Sequence, residues 1–161
     1  MTEPQVHVCF VCSGNICRSP MAALVVREHL RRAGLADQVR VSSAGTGPWH
    51  AGQPADERAR QTLAGHGYGV EHVAAQVDDE HLAADLLLAA DAGHLRALRD
   101  KVGDPDRVRL LREFDPSAPP GAEVPDPYYG GDDGFTDVLR MIERTVPGLL
   151  DWIRVELGKP A

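Results

Sequence analysis

Cysteine is scarce in this chain of 161 residues, and its three cysteines all lie between positions 9 and 17. Thiols so close in sequence cannot join distant parts of a fold by disulfide bonds. The sequence therefore lacks the disulfide framework of a small secreted protein. Its thiols are expected to be buried or reactive in a reducing cytoplasm.

Long apolar runs and an excess of basic charge are also missing. No stretch approaches the roughly 18 apolar residues of a membrane span, and the first residues lack the basic and apolar regions of a signal peptide. The net charge of −7, from 17 basic and 24 acidic residues, argues against a nucleic-acid surface. We expect a cytoplasmic protein that binds neither membrane nor nucleic acid. Export without a signal peptide is left open.

What is present is an alternation of short apolar strands and amphipathic helices. Strands are predicted at residues 6–12, 39–45, 86–90 and 108–111. Helices are predicted from Met21 to about Gly34, with Ser19 as N-cap and Pro20 in the first turn, and over 55–66, 94–101 and 135–157, the last split or kinked by Pro147. The pattern predicts one α/β domain over residues 1–161, with its core from about 6 to 158. A four-stranded parallel sheet would be covered by helices on both faces.

The most informative segment is residues 12–20 (CSGNICRSP), which we call the cysteine loop. It follows a predicted strand and opens a helix, so its backbone N–H groups and the helix N-terminus would form an anion site. Such a site favours the reactive thiolate of Cys12. Arg18 has the geometry to hold a phosphate by two parallel hydrogen bonds. The segment predicts a phosphate-binding loop with a built-in nucleophile, whose remaining members are Ser13, Gly14, Asn15, Ile16 and Cys17.

These residue types suit hydrolysis of a phosphate monoester. The Cys12 thiolate would attack phosphorus and form a cysteinyl-phosphate, while a carboxylic acid on a mobile loop protonates the leaving oxygen. The long loop at residues 115–134 offers two Asp-Pro pairs, beginning at Asp115 and Asp126, and the chemistry alone does not choose between them. No step requires a metal, and no cofactor is expected.

The cysteine loop together with Asp126-Pro127-Tyr128-Tyr129-Gly130 resembles the low-molecular-weight protein tyrosine phosphatase family, in its bacterial form. The resemblance implies a flavodoxin-like fold and favours Asp126 over Asp115 as the general acid. It makes Tyr128 and Tyr129 walls of the substrate pocket and acceptors for a cognate kinase. It also implies tyrosine-phosphorylated proteins as substrates. The oligomeric state is expected to be a monomer or a weak dimer.

Supporting residues each have a structural and a functional interpretation. Ser19 caps the helix and also has a hydroxyl that could stabilise the sulfur of Cys12. Asn15 suits a left-handed backbone, and the resemblance implies that it braces the loop through Ser43 and His72. A surface tryptophan such as Trp49 usually packs on a neighbouring loop, whereas the resemblance implies an aromatic at the rim of the pocket.

The two remaining cysteines also have more than one interpretation. Cys17 is either a small buried residue or the partner of Cys12 in a reversible disulfide, and the resemblance favours the redox-sensitive form. Cys9 lies inside a predicted strand and is expected in the core, despite its Cys-x-x-Cys spacing to Cys12.

Three other functions fit parts of the sequence. Arsenate reduction uses a similar loop but relays a disulfide to later cysteines, and this chain has none after Cys17. Phosphoarginine phosphatases resemble this chain but carry a threonine where Ile16 stands. A phosphate-binding module without turnover would not need the combination of Cys12, Arg18 and Asp126. The sequence favours a phosphotyrosine phosphatase.

Overall fold

A four-stranded parallel sheet lies at the centre of the computed structural model, which describes residues 4–159 apart from the side chains of Tyr129 and Asp132. Its strands are β1 (Val6–Cys12), β2 (Val39–Gly45), β3 (Leu86–Ala89) and β4 (Val108–Leu110). They lie in the order β2-β1-β3-β4, and every neighbouring pair is parallel. All four predicted strands are therefore confirmed, with ends that differ by at most one residue.

The helices follow the predicted alternation and add one short element. They are α1 (Arg18–Arg32), α2 (Glu57–Gly65), α3 (Asp79–Leu82), α4 (Ala92–Arg99) and α5 (Asp132–Leu157). The sequence pattern missed α3, which spans a single turn and buries none of its residues. Asp56 and Asp91 cap α2 and α4 by accepting hydrogen bonds from backbone N–H groups. Asp91 starts α4 two residues earlier than predicted.

Helices cover both faces of the sheet, as predicted. Along β1, Val8 and Phe10 pack into the apolar cluster formed with α1, α2 and α5. Cys9 and Val11 point to the opposite face, where they pack in a smaller cluster that includes Leu98 of α4. Cys9 is completely buried, and burial raises the pKa of its thiol to about 11. The expectation that Cys9 belongs to the core is confirmed.

The strand order places the cysteine loop at a crevice of the sheet. From β1 the chain runs through α1 to β2 on one side, and then returns across β1 to β3 on the other side. The connections therefore diverge at the carboxyl end of β1, which ends at Cys12. In open α/β sheets, ligands bind at this kind of topological switch point.

Two local predictions need correction. Helix α1 begins at Arg18 with Cys17 as its N-cap residue, not after a capping Ser19. The Ser19 hydroxyl contacts the Cys12 sulfur and the Asn15 side chain instead, so it is not available to cap. Pro20 is tolerated in the first turn because the N–H groups there have no partner within the helix.

Pro147 does not divide the C-terminal segment into two helices. It lies inside α5, which runs without interruption from Asp132 to Leu157. The apolar stripe on either side of Pro147 is buried against the sheet and α1, and this packing holds both halves in one helix. The buried members of the stripe are Phe135, Val138, Leu139, Ile142, Val146, Leu149 and Ile153.

A close backbone contact at Gly148 provides a test of how α5 packs against the segment that contains Phe114. A Cβ at this position would lie 2.4 Å from the carbonyl oxygen of Phe114. We expect Gly148→Ala to lower the free energy of unfolding by about 1–3 kcal/mol, because the backbone must shift, even though alanine favours helix by about 1 kcal/mol. Gly134→Ala in the same helix is the control, since its Cβ would meet Pro127 at ordinary van der Waals distances, 3.6 Å from Cβ and 3.8 Å from Cα. Urea unfolding followed by circular dichroism that finds the two variants equally stable would contradict this packing.

Candidate active site

Asn15 fixes the shape of the cysteine loop. Its φ of 58° is the only positive φ of a non-glycine residue in the described part of the chain, which confirms the predicted left-handed backbone. The side-chain amide donates to the hydroxyls of Ser19 at 2.7 Å and Ser43 at 3.0 Å. Its oxygen accepts from the N–H of Ala75 at 3.0 Å, and His72 Nε2 lies 2.7 Å from the Asn15 carbonyl oxygen. The structure thus brings together the predicted bracing residues.

The backbone of the loop turns its carbonyl groups outward. Neighbouring segments donate to these carbonyls through four further backbone hydrogen bonds, from Thr46 to Cys12 (2.9 Å), Gly47 to Ser13 (3.1 Å), Asp56 to Ile16 (2.9 Å) and Met21 to Cys17 (3.0 Å). The N–H groups of residues 13–17, by contrast, have no partner among the described residues. Because unpaired backbone N–H groups are rare in folded proteins, five in succession indicate an anion-binding cradle.

Gly45 allows the end of β2 to approach this loop. A Cβ there would lie 2.6 Å from the carbonyl oxygen of Ser13. Only glycine therefore lets β2 and the loop share the hydrogen bonds that orient the carbonyls. The sequence analysis placed Gly45 at a strand end and found no role for it.

Cys12 lies at the base of the site, 3% exposed, with its sulfur 2.9 Å from the Ser19 hydroxyl. Cys17 is also buried, and burial, reinforced by the nearby Asp56 carboxylate, raises the pKa of its thiol to about 12. Cys17 therefore carries a neutral thiol at physiological pH. Both cysteines are free.

Arg18 is buried beneath the mouth of the site and held in one orientation. Its Nη1 donates to Asp91 Oδ2 and to the carbonyl oxygen of Val124, both at 3.1 Å. Its Nη2 lies 3.7 Å from Asp126 Oδ2. A guanidinium can bind an anion through either of two edges, and the contacts to Asp91 and Val124 occupy Nη1. The edge formed by Nε and Nη2 is therefore the one left for a bidentate anion.

Asp126 and Asp115, the two candidate acids, lie in different environments. Asp126 caps the short 3-10 turn Pro127–Tyr129 by accepting from the N–H of Tyr128 at 3.0 Å, and about a third of its side chain is exposed. Asp115 is 3% exposed, accepts from Ser117, and pairs with Arg144 at 3.3 Å. Although burial alone would raise the pKa of Asp115, these hydrogen bonds and the Arg144 charge lower it below its usual range. Asp115 is thus a buried carboxylate whose oxygens are engaged by Ser117 and Arg144.

A cleft of about 420 Å³ joins the loop to its rim. It is lined by Cys12, Ser13, Gly14, Ile16, Cys17, Arg18, Trp49, His50, Asp126 and Tyr128. Trp49 is 67% exposed and its ring covers Gly47, where a Cβ would lie 2.1 Å from the indole. The side chain of Tyr129, predicted as a second wall, lies outside the described residues.

Several residues of the site were missed by the sequence analysis. His50 lines the cleft, and Arg58 holds the Asp126 loop by donating to the carbonyl oxygen of Tyr128 at 3.1 Å while pairing with Asp56. Asp91 holds Arg18, and His94 contacts Ser13. An aspartate at a helix start is visible in sequence as a cap, but its second role depends on a contact across 73 residues.

Within the described residues, the structure offers no candidate metal site and no candidate membrane-spanning helix. No three histidine, cysteine, aspartate or glutamate side chains there are grouped to hold a metal ion. None of the helices described combines the length and apolar character of a membrane span.

A doubly wound parallel sheet that carries a cysteine-and-arginine anion loop after its first strand is typical of proteins that bind a phosphoryl group. Comparison with known proteins identifies the family. The profile described as "Low molecular weight phosphotyrosine protein phosphatase" matches residues 7–159. The chain belongs to this family, and it is a metal-independent protein-tyrosine phosphatase by class.

Individual relatives cover nearly the whole chain. "Low molecular weight protein-tyrosine phosphatase A" of Mycobacterium tuberculosis is 53% identical over 160 residues, 99% of this chain and 98% of its own. A "Low molecular weight protein-tyrosine-phosphatase" of Streptomyces coelicolor is 51% identical over 156 residues, 94% of this chain and 95% of its own. A crystal structure of a protein tyrosine phosphatase from Entamoeba histolytica superposes with a TM-score of 0.87 at 33% identity, covering 96% and 99% of the two chains.

The bracing role of Asn15 can be separated from its backbone conformation by two substitutions. Asn15→Gly and Asn15→Ala both remove the side-chain hydrogen bonds, which contribute about 1 kcal/mol each. Alanine also has to adopt the left-handed backbone, at a cost of about 1–2 kcal/mol. We expect urea unfolding to give free energies lowered by about 2–3 kcal/mol for the glycine variant, and by about 1 kcal/mol more for the alanine variant. Equal stabilities would show that the loop changes its backbone when the side chain is lost.

Proposed function

We propose that the chain hydrolyses phosphotyrosine in proteins through a cysteinyl-phosphate intermediate, with Cys12 as nucleophile, Arg18 and the loop amides as phosphate ligands, and Asp126 as general acid and base. The observation that carries the proposal is the run of unpaired N–H groups of residues 13–17 that directly follows the buried Cys12. Five unpaired N–H groups and a guanidinium together suit an anion better than a neutral ligand. A phosphoryl group, with three equatorial oxygens, uses them all.

The first chemical step follows from this geometry. The Cys12 sulfur forms a bond to phosphorus as the bond from phosphorus to the tyrosine oxygen breaks. Charge on the equatorial oxygens is held by the N–H groups and by Nε and Nη2 of Arg18. The protonated carboxyl of Asp126 gives its proton to the departing phenolate, which leaves as neutral tyrosine. The Ser19 hydroxyl, 2.9 Å from the sulfur, supports the thiolate before attack.

The second step returns the enzyme to its starting state. Asp126, now ionised, takes a proton from a water molecule while the oxygen of that water attacks phosphorus. The bond between sulfur and phosphorus breaks, inorganic phosphate is released, and the electron pair stays on Cys12 as the thiolate. Asp126 is suited to both steps because it lies at the mouth of the cleft, accessible to leaving group and water, and is within 3.7 Å of Arg18.

The walls of the cleft favour an aromatic leaving group. Ile16, Trp49 and Tyr128 all line it, so a flat ring would have apolar partners on the way to the loop. Ile16 offers no hydroxyl to an arginine leaving group. The cleft is therefore assigned to phosphotyrosine and not to phosphoarginine.

The proposal also covers regulation, cellular location and oligomeric state. The exposed Tyr128 and its neighbour Tyr129 are assigned as acceptors for a cognate kinase, and Cys17 as the partner of Cys12 in a disulfide formed under oxidants. The disulfide would form when the Cys17 thiolate attacks a Cys12 sulfenic acid and water leaves, and the raised pKa of Cys17 makes this attack slow. The protein is assigned to the cytoplasm, as a monomer or weak dimer in one domain over residues 1–161.

The nucleophile is tested with para-nitrophenyl phosphate. The unaltered protein is expected to hydrolyse it in EDTA and to be inhibited by vanadate, whereas Cys12→Ser should lose at least about a thousandfold in kcat, because the hydroxyl is a far weaker nucleophile. Cys9→Ala is the matched control, since Cys9 packs on the far face of the sheet, and it should keep full activity. Turnover by Cys12→Ser, or none by the unaltered protein, would refute the proposal.

The acid is tested by comparing two aspartates in the same loop. Asp126→Asn is expected to slow kcat by about 10²–10⁴ while leaving inhibition by inorganic phosphate within about threefold, because the carboxylate is not a phosphate ligand. Asp115→Asn should keep kcat but unfold more easily at neutral pH. The lowered pKa of Asp115 means that its stabilisation is present at neutral pH and is lost as the pH falls through that pKa. A loss of kcat in Asp115→Asn instead would overturn the assignment.

A further inference from the structure

Residues at the start of α4 contact the cysteine loop at both of its ends. Asp91 accepts from the His94 N–H at 3.0 Å through Oδ1 and from Arg18 Nη1 at 3.1 Å through Oδ2. His94 reaches the other end of the loop, where its Nε2 lies 2.8 Å from the Ser13 hydroxyl. Ser13 follows Cys12 directly, and Arg18 closes the loop. A single helical turn therefore fixes the first amide of the cradle relative to the guanidinium.

The protonation state of His94 follows from its surroundings. The side chain is 5% exposed, and burial lowers its pKa despite the nearby Asp91 carboxylate, so the imidazole is neutral at physiological pH. Arg18, Asp126 and Glu123 are the other charged groups that act on it. Its Nδ1 is buried, lies 3.2 Å from Asp91 Oδ1 and makes no well-formed hydrogen bond.

The position of the single ring proton is decided by electrostatics. A lone pair on Nδ1 would face the Asp91 carboxylate and be repelled, so electrostatics favours the tautomer with its proton on Nδ1. Nε2 is then an acceptor, and the Ser13 hydroxyl donates to it. This hydrogen bond ties the Ser13 side chain to α4. His94 itself is not among the residues that line the cleft.

We propose that His94 is a positioning residue for the phosphate site, acting through Ser13 and through Asp91 to hold the loop amides and Arg18 in register for the phosphoryl oxygens. The inference rests on the proposed function, because it concerns the same anion site. It concerns binding of the phosphoryl group and not proton transfer. Its measurable consequence is the affinity for inorganic phosphate, which needs no turnover.

The experiment combines calorimetric titration of inorganic phosphate with kinetics on para-nitrophenyl phosphate. His94→Leu, which keeps volume and removes both polar contacts, should weaken phosphate binding about tenfold, as expected for one lost hydrogen bond within a network. Ser13→Ala should do the same. The double variant should be no weaker than His94→Leu alone, because both substitutions remove the link between His94 and Ser13. His94→Gln should recover most of the affinity, since its Oε1 can replace Nε2 as acceptor for Ser13.

A merely structural histidine gives a different pattern. His29→Leu is the control, because it also removes a contact between an imidazole and a hydroxyl, 3.2 Å to Tyr68, at a point outside the cleft. It should lower the melting temperature and leave phosphate affinity unchanged. Additive losses in the double variant, or no rescue by His94→Gln, would overturn the inference.

The two proposals fail in distinguishable ways. Unchanged phosphate affinity in both His94→Leu and Ser13→Ala, with normal turnover by the unaltered protein, refutes only the role of His94. Phosphate binding that depends on His94 without turnover refutes only the catalytic proposal. Absence of phosphate binding by the unaltered protein refutes both. If His94→Leu does not fold, Ser13→Ala and His94→Gln still decide the matter.

Discussion

The site depends on a loop backbone whose carbonyl groups point outward. A chain segment that leaves five consecutive N–H groups without protein partners is costly, and Asn15 adds the cost of a left-handed conformation. The outward carbonyls offset part of this cost, because those of Cys12, Ser13 and Ile16 accept from backbone N–H groups of neighbouring segments. The loop is thus held by what lies behind it, and its concave side is left for an anion.

The topology supplies those donors. The residues after β2 donate to Cys12 and Ser13, the start of α2 donates to Ile16, and the segment around His72 holds Asn15. None of these segments adjoins the loop in sequence, but all meet at the carboxyl end of β1, where the connections diverge. The bracing is therefore a property of the whole fold. Substitutions in β2 or α2 are expected to change the affinity of the loop for phosphate.

Sequence reasoning predicted what is local and missed what is long-range. The strands, the left-handed Asn15 and the apolar stripe of α5 follow from residue type and spacing. The start of α1 was misplaced because the Ser19 hydroxyl is claimed by Cys12 and Asn15. The roles of Asp91 and His94 depend on partners 73 and 81 residues away, and the strand order that creates these contacts is not written in any local pattern. The choice between Asp115 and Asp126 needed the family resemblance, and the burial of Asp115 now supplies an independent physical reason.

The charges around Arg18 are arranged so that an arriving phosphate would exchange with one of them. Before substrate binds, the guanidinium faces Asp91 at 3.1 Å and Asp126 at 3.7 Å, so two carboxylates share one buried cation. A phosphate dianion that enters the loop takes over part of that cation and brings negative charge near Asp126. Asp91 is held at the cap of α4 and keeps Arg18 in place while this exchange occurs. In the proposed mechanism, the buried guanidinium would thus pass from two carboxylates to the phosphoryl group without changing its orientation.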